Sequence, residues 1–238
     1  MTPGLTMELV VPSTMALPLA QEALLTDLPV HVYSLVEGEA AGFLYKLQWG
    51  YEEVHADVIG YCHSDLSIHD QGWEARVLDE FKWPNVGVVG FVGATGLGHD
   101  DIFKIPYSYT QLARCDVWSN LTDAEAHGQR LIGSKRVAVV DSCAVFVRRD
   151  LLVRCGGWPL GAYPNSSHCT DLWVCLMAHR MGMRTQVVGV SATHTGGGKG
   201  EVGSKWLEAR GTDDVLHKQA HVVTYNTFRS ELPLRVKA

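Results

Sequence analysis

The chain has 238 residues, of which 46% are hydrophobic and 19% charged, a balance typical of one globular domain with a substantial core. Its formal net charge of -6 at pH 7 excludes a general electrostatic attraction to nucleic acid or to an anionic membrane. No apolar run approaches the roughly 18 residues of a membrane span, and Lys and Arg are lacking before Lys46, so we expect a cytoplasmic protein without a secretory signal.

Strand and helix signals alternate along the first 92 residues. The predicted strands are Met7 to Pro12, Val30 to Val36, Val58 to Cys62 and Val86 to Val92, and the predicted helices are Leu17 to Thr26, Gly42 to Glu53 and Trp73 to Phe81. This order predicts an α/β domain of the nucleotide-binding type, built on a mostly parallel sheet.

Regular patterns fade between Gly93 and Arg130, which we interpret as loop-rich with room for one short strand. Loops of this length are usually lids or acceptor-binding surfaces. Order then returns, with a strand over Val137 to Val147, a helical turn over Asp150 to Arg154, a helix over Asp171 to Met181 and a strand over Arg184 to Val190. A glycine-rich segment follows from Gly196. Since no linker interrupts these elements, we expect one domain over residues 1–238.

The segment from Gly60 to Trp73 combines an apolar strand with histidine, hydroxyl and carboxylate side chains at its end. Ligands of open α/β sheets gather beyond the carboxyl ends of the strands, so Asp65 would face the binding crevice. A carboxylate there can hold Mg2+ or Mn2+, which in turn neutralises phosphates. The competing interpretation is that Asp65, Ser67 and Asp70 only form turns and cap the following helix.

Six short motifs follow one another in a characteristic order. They are Val10-Val-Pro12, Val58-Ile-Gly-Tyr-Cys-His-Ser-Asp65, Val140-Asp-Ser-Cys-Ala-Val-Phe-Val-Arg-Arg-Asp-Leu151, Cys155-Gly-Gly-Trp-Pro159, Thr170-Asp-Leu-Trp173 and Val190-Ser-Ala-Thr-His194. Their combination, over roughly residues 7 to 195, resembles a family 2-type glycosyltransferase of GT-A fold. The resemblance implies a single Rossmann-like α/β domain whose central mixed, mostly parallel sheet is flanked by helices. It implies a nucleotide-sugar-binding half over about 1–95, an acceptor-binding and catalytic half over about 96–195, and a flexible glycine-rich loop with a C-terminal tail over 196–238.

The resemblance implies a divalent cation, Mn2+ or Mg2+, that bridges the protein to the diphosphate of a nucleoside diphosphate sugar. Asp65 corresponds to the last acid of the family's DxD motif, and His63 replaces the first acid, so His63 or Ser64 would supply a hydrogen bond to the donor. His194 stands where the family often places a further metal ligand or diphosphate contact. The alternative for His194 is a half-buried histidine with a structural role.

Three further residues match positions that contact the acceptor or the sugar in the family. In the family, a Glu-Asp pair begins a helix, and its second acid is the general base of inverting transfer. Asp171 stands at the position of that second acid, and Thr170 replaces the first. The alternative for Asp171 is an acid that is only stabilised by the helix dipole. Asp141 corresponds to a sugar- or acceptor-contacting acid. Trp158 either stacks on a sugar or base face or belongs to the core.

The edges of the implied donor pocket are Pro12 and Ser13 after the first strand and Glu37 after the second. Lys199 and Lys205, in the glycine-rich segment, could fold over the diphosphate and stabilise the leaving group. The alternative for both lysines is a solvated flexible loop.

The implied reaction is inverting transfer of a sugar to an acceptor hydroxyl, which Asp171 would activate. The acceptor stays open between a glycan, a protein, a lipid-linked sugar and a hydroxylated nucleobase in DNA, and the last would need a local basic groove from Arg114, Arg130, Lys135 and Arg136.

Two other classes of protein remain open. The missing acids at positions 63 and 170 favour a non-catalytic nucleotide-sugar or carbohydrate-binding module. A nucleotidyltransferase would need a glycine-rich basic signature near the first strand, and Val11-Pro-Ser-Thr-Met15 has none, which counts against that class. The sequence predicts no oligomeric state.

Overall fold

The structure is a computed structural model that describes residues 4–13, 20–34, 43–98, 117–118, 130–163, 169–194 and 219–237. Its strands are β1 Met7–Ser13, β2 Val30–Ser34, β3 Val58–Cys62, β4 Leu66–Ile68, β5 Val86–Gly90, β6 Gly93–Ala94, β7 Gly96–Leu97, β8 Val117–Trp118, β9 Ser134–Val137, β10 Val139–Val140, β11 Ala144–Arg148, β12 Arg184–Val188, β13 Ala192–His194 and β14 Leu234–Arg235. Its helices are α1 Ala20–Ala23, α2 Phe43–Glu53, α3 Trp73–Phe81, α4 Arg149–Cys155, α5 Thr170–Arg180 and α6 over 219–227.

Seven strands form the central sheet in the order β2-β1-β3-β11-β5-β12-β9. β1 pairs in parallel with β2 and β3, and β12 pairs in parallel with β5, whereas β11 and β9 run antiparallel to their neighbours. The sheet is therefore mixed and mostly parallel, as the sequence predicts. The carboxyl ends of β3, β5 and β12 lie at one edge, together with the start of β11, because Ala144 pairs with Cys62. A polar site at the end of β3 consequently adjoins the chain that enters β11.

Helices cover both faces of the sheet, which explains why the central strands are apolar throughout. All five residues of β3 and of β5 are buried, as expected when neither face meets water. Side chains from α2, α4 and α5 pack into one hydrophobic cluster, and Trp73, Val77 and Phe81 of α3 pack into the other. Helix α3 has the bounds that its sequence pattern predicts.

The predicted strand over Val137 to Val147 is wrong as a single element. The chain pairs with β12 through β9, leaves the central sheet to pair β10 with β6, turns at 141–143, and re-enters as β11. The turn forms because the Asp141 backbone N–H donates to the Val92 carbonyl, 2.9 Å, and the Cys143 N–H donates to the Asp141 carboxylate, 2.9 Å. The sequence reads as one run because the residues on either side of the turn are all buried.

Part of the C-terminal tail packs against the domain. Phe228 is fully buried, Tyr163 and Thr224 join their hydroxyl oxygens at 2.8 Å, and Arg180 of α5 forms a 2.7 Å ion pair with Glu231. Beyond α6, β14 pairs with β7. Among the described residues, no helix has the length and apolar character needed to cross a membrane.

Candidate metal centre

The centre of the candidate site is the turn that follows β3. The His63 backbone N–H donates to the Cys143 carbonyl, 3.0 Å, which continues the β3–β11 pairing for one residue beyond the sheet. The Leu66 N–H then donates to the His63 carbonyl, 3.3 Å, and closes a turn that contains Ser64 and Asp65. The turn leads into β4, so the polar residues after β3 are held by backbone hydrogen bonds at both ends.

His194 reaches this turn through a pairing that local sequence patterns do not reveal. β13 runs antiparallel to β4, with His194 opposite Leu66, Thr193 opposite Ser67 and Ala192 opposite Ile68. The ribbon brings together residues almost 130 positions apart in the chain and places the His194 side chain beside Asp65.

Three side-chain atoms converge at this point. His194 Nε2 lies 3.2 Å from Asp65 Oδ1 and 3.3 Å from His63 Nδ1, and the remaining distance, between His63 Nδ1 and Asp65 Oδ1, is 4.0 Å. All three side chains are half-buried, with 20% to 27% of their surface exposed. The Phe43 ring packs edge-on against the His63 ring, with centroids 5.8 Å apart, and so limits its rotation.

Local electrostatics favour the metal-binding forms of two of these residues. Burial lowers the pKa of the His63 imidazole, and the nearby His194 lowers it further against an opposing effect of Asp141. Burial alone would raise the pKa of the Asp65 carboxyl, but the hydrogen bond and the charge interaction with His194, together with His63, outweigh it, so the pKa is lowered. A neutral imidazole and an ionised carboxylate are the forms that bind metal ions.

The spacing and chemistry of these donors fit a divalent transition metal. Ligand atoms on an octahedral ion with bonds of about 2.1 Å lie about 3 Å apart when adjacent, and those on a tetrahedral ion of similar size lie about 3.4 Å apart. Two of the observed distances, 3.2 and 3.3 Å, fall within that range. The third, 4.0 Å between His63 Nδ1 and Asp65 Oδ1, is longer, so a bound ion would draw these two side chains slightly together. Two imidazoles with one carboxylate suit Mn2+ and its neighbours better than Mg2+, which prefers oxygen ligands.

The family resemblance predicts that His63 or Ser64 donates a hydrogen bond to the donor, and it limits the metal ligands to Asp65 and His194. The structure places His63 in the one group of three that could hold a metal ion within the described residues. The signal that could have found it is the closeness of His63 and Asp65 in the sequence, since residues of one hydrogen-bonded turn stay near one another.

Asp141 and Asp171 occupy different surroundings. Asp141 is half-buried in the turn before β11, and this turn adjoins His63, whose N–H donates to the carbonyl of Cys143, two residues after Asp141. The charge of Asp141 raises the pKa of the His63 imidazole. Asp171 lies in the first turn of α5 and is 8% exposed, and its Oδ1 accepts a hydrogen bond from the Leu172 N–H, 2.8 Å. Its charge acts on Tyr163, Cys169 and Cys175, which lie on the α5 side of the sheet.

The Trp158 side chain has the surroundings of a core residue. It is 5% exposed, its Nε1–H donates to the Tyr61 hydroxyl, 3.1 Å, and its ring packs edge-on against the Tyr61 ring with centroids 5.2 Å apart. The Trp173 ring lies 5.8 Å away on another side. These contacts favour the core alternative over stacking on a sugar.

The other predicted donor contacts are described only in part. Pro12 is buried in β1 and Ser13 ends that strand, at the same edge of the sheet as the turn after β3, and Ser64 is exposed in that turn. Glu37, Lys199 and Lys205 lie outside the described residues.

The basic residues considered for a DNA acceptor lie at the far end of the sheet. Lys135 and Arg136 are exposed on β9, the terminal strand in the described order, and Arg130 is exposed just before it. Arg114 lies outside the described residues.

Comparison with known proteins gives structural but no sequence relatives. The sequence matches no family model and no curated protein. The similar solved structures include A197 from STIV (14% identity, TM-score 0.47, covering 79% of this chain and 85% of that one), the mannosyltransferase PcManGT from Pyrobaculum calidifontis in complex with GDP-Man and Mn2+ (16%, 0.49, 94% and 70%), and GalNAc-T7 with UDP, GalNAc and Mn2+ (10%, 0.53, 82% and 44%).

The similarity to GalNAc-T7 and the strand order together establish the GT-A glycosyltransferase fold. The chain spans less than half of GalNAc-T7, and all three identities lie below 25%, so the similarity extends to the fold alone. The fold class implied by the sequence motifs is confirmed.

Proposed function

We propose that this protein is a metal-dependent glycosyltransferase that moves a sugar from a nucleoside diphosphate sugar to an acceptor hydroxyl, with inversion at the anomeric carbon. The observation that carries the proposal is the convergence of His63, Asp65 and His194 at the carboxyl edge of β3. GalNAc-T7, which has the same fold, was solved with UDP, GalNAc and Mn2+, and this supports a nucleotide-sugar donor.

His63, Asp65 and His194 would hold the metal ion through Nδ1, Oδ1 and Nε2, the three atoms that converge. When bound, Mn2+ supplies the positive charge that stabilises the departing diphosphate. The backbone hydrogen bonds around the turn after β3 keep these side chains in place before the donor arrives, which reduces the cost of organising the site. Lys199 and Lys205 remain the proposed cationic contacts to the diphosphate, and Glu37, Pro12 and Ser13 the proposed edges of the nucleobase pocket.

Asp171 is the proposed general base. Its carboxylate would accept the proton of the acceptor hydroxyl as the oxygen attacks the anomeric carbon from the face opposite the diphosphate. The carboxylate accepts a hydrogen bond from the Leu172 N–H in the first turn of α5, where the helix dipole favours a negative charge. Asp141, beside His63, is the proposed contact to the sugar or the acceptor.

A binding module without turnover is the second candidate. The observation that favours it is the burial of Asp171, which is 8% exposed and has a backbone hydrogen-bond partner. A protein of this kind would bind a nucleotide sugar and the metal ion without releasing nucleoside diphosphate, so ligand binding and turnover distinguish the two functions.

A thermal-shift screen tests the donor site. The purified chain is heated with Mn2+, Mg2+ or EDTA against a panel of nucleotide sugars. At a ligand concentration of about 100 times Kd, binding stabilises the folded state by about 2.7 kcal/mol, which raises Tm by about 5 to 10 °C for a chain of this size.

The variant His63→Gln should lose the Mn2+ shift, and His55→Gln, which changes an exposed histidine away from the cluster, should keep it. Equal shifts for the two variants would mean that Mn2+ binds elsewhere. An absence of any shift with Mn2+ and every donor would refute the donor site.

A further inference from the structure

The position of His194 depends on a short ribbon that needs support from outside. β4 and β13 contribute three residues each, and the described part of the ribbon has only these two strands. Two-stranded ribbons of this length are marginal in water without further contacts. Whatever fixes the chain just before β13 therefore also fixes the distance between His194 and Asp65.

Two charged side chains hold the chain just before β13: Asp70 in the loop before α3 and Arg76 in the first turn of α3. Asp70 Oδ2 accepts hydrogen bonds from the Ser191 backbone N–H, 2.9 Å, and from Arg76 Nη2, 2.9 Å. Arg76 Nη1 donates to the Gly189 carbonyl, 3.0 Å. We call Asp70 and Arg76 the clip, since together they connect Gly189 and Ser191 to the loop and helix that follow β4.

The chemistry of the clip is specific to these two residue types. The guanidinium plane presents parallel N–H groups, so Arg76 reaches the carboxylate with one nitrogen and the carbonyl with the other, which the point charge of a lysine does not reproduce. The hydrogen bond from the Ser191 N–H, together with the hydrogen bond and charge of Arg76, lowers the pKa of Asp70 against the opposing effect of burial, so the carboxylate is charged at neutral pH.

Two contacts of His69 also link the residues after β4 to the chain at β13. The His69 N–H donates to the Ser191 carbonyl, 2.9 Å, and His69 Nε2 lies 2.8 Å from Thr193 Oγ1. Both backbone polar groups of Ser191 are thus hydrogen-bonded, the N–H to Asp70 and the carbonyl to His69. This leaves His194, three residues on, little freedom to move away from Asp65.

The geometry points to Asp70 and Arg76 as positioning residues that hold β13 in the register in which His194 completes the metal site. This inference rests on the proposed function for its metal, and on the hydrogen bonds above for the clip itself. Neither residue touches the three converging ligand atoms, so both act through the backbone that carries His194.

The test measures Mn2+ affinity by calorimetry, and amide hydrogen exchange in metal-free protein, for the full chain and three variants. Arg76→Gln removes the guanidinium that donates to Asp70 and Gly189, and Arg76→Lys keeps only its charge. Arg154→Gln is the matched control, because it breaks an exposed 2.6 Å ion pair with Asp150 on α4. Loss of an outer support typically weakens metal binding about 10- to 100-fold. We expect that loss for Arg76→Gln, a smaller one for Arg76→Lys, and none for Arg154→Gln.

Hydrogen exchange in metal-free protein tests whether the clip holds β13, independently of whether the site binds a metal ion. Arg76→Gln should speed exchange of the amides in residues 189–194 about tenfold or more while α5 stays protected, as expected for a local opening. Unchanged exchange there would overturn the clip, whether or not Mn2+ binds. If exchange accelerates but Mn2+ affinity equals that of Arg154→Gln, the clip is structural and the inference is wrong. Failure of the unmodified chain to bind Mn2+ would instead refute the proposed function and, with it, any role of the clip in metal binding.

Should Arg76→Gln fail to fold, Asp70→Asn removes the charge and leaves one amide oxygen to accept from Ser191. It is expected to show the same two effects to a smaller extent, and their absence in a folded Asp70→Asn protein would overturn the inference.

Discussion

Replacing Gly60 with alanine tests how β3 is held beneath the candidate site. A Cβ at this position would lie 2.6 Å from Leu9 Cδ2 and 2.8 Å from two carbons of the Phe146 ring. Phe146 cannot yield easily, because the rings of Trp73 and Phe91 lie 5.5 and 5.2 Å from it in the same buried cluster. β3 must therefore shift, or Leu9 must leave its preferred rotamer.

The size of the effect follows from two opposing contributions. Overpacking a core costs about 1 to 3 kcal/mol, and replacing a strand glycine returns about 0.5 to 1 kcal/mol of backbone entropy. The difference is a net loss of about 0 to 2.5 kcal/mol. Because three atoms would lie closer than 3.0 Å to the new Cβ, we expect the upper part of that range, about 1 to 2.5 kcal/mol, or a fall in Tm of about 2 to 10 °C for a chain of this length.

The assay is thermal unfolding followed by circular dichroism, with Gly161→Ala as the matched control. A Cβ at Gly161 would meet nothing within 4 Å, and its backbone is not among the described positive-φ positions. The control should change Tm by no more than about 1 to 2 °C. If Gly60→Ala is as stable as the control, the close packing of β3 against β1 and β11 is not as described.

Three further predictions concern Asp171, Trp158 and Glu231. Asp171→Asn should lower sugar transfer by about 100-fold or more while Mn2+ and donor binding persist, as measured by nucleoside diphosphate release with an acceptor present; full activity would exclude Asp171 as the base. Trp158→Phe loses the hydrogen bond to Tyr61 and should lower the free energy of unfolding by about 1 to 3 kcal/mol, while donor affinity stays unchanged. Weaker donor or acceptor binding without a loss of stability would instead indicate that Trp158 contacts a sugar. The hydrogen bond from Arg180 lowers the pKa of Glu231 to about 2, so the stabilisation by this pair is complete above the ordinary pKa of about 4.5 and is lost as pH falls towards 2. Urea unfolding of the unmodified chain and of Glu231→Gln should show a difference that is constant above about pH 5 and shrinks in acid; a difference that grows in acid would contradict this sign.

The sequence predicts the fold class because its main elements are long and regular enough to carry local signals. The five-residue apolar run of β3 and the helix from Trp73 to Phe81 are both found at the predicted bounds. The order of such elements indicates a mostly parallel sheet, and the motif order indicates the GT-A fold.

Local patterns fail where pairing over long distances decides the structure. β4 and β13 have three residues each, too few for a periodic signal, and their pairing across the chain is what brings His194 to Asp65. The turn at Asp141 has only a weak signal, since Asp141 and Ser142 are a two-residue polar interval between the buried apolar residues of β10 and β11. The hydrogen bonds of Asp70 with Ser191 are likewise invisible, because a backbone donor 121 residues away has no sequence signature.

Release of nucleoside diphosphate from a panel of nucleotide sugars, with Mn2+ or with EDTA, distinguishes a glycosyltransferase site from other uses of these residues when the unmodified chain is compared with Asp65→Asn. We expect release from at least one donor that needs Mn2+, is abolished by EDTA and falls about 100-fold or more in Asp65→Asn. Release that is the same with EDTA, or unchanged in a folded Asp65→Asn protein, would contradict a metal-dependent glycosyltransferase site built on His63, Asp65 and His194.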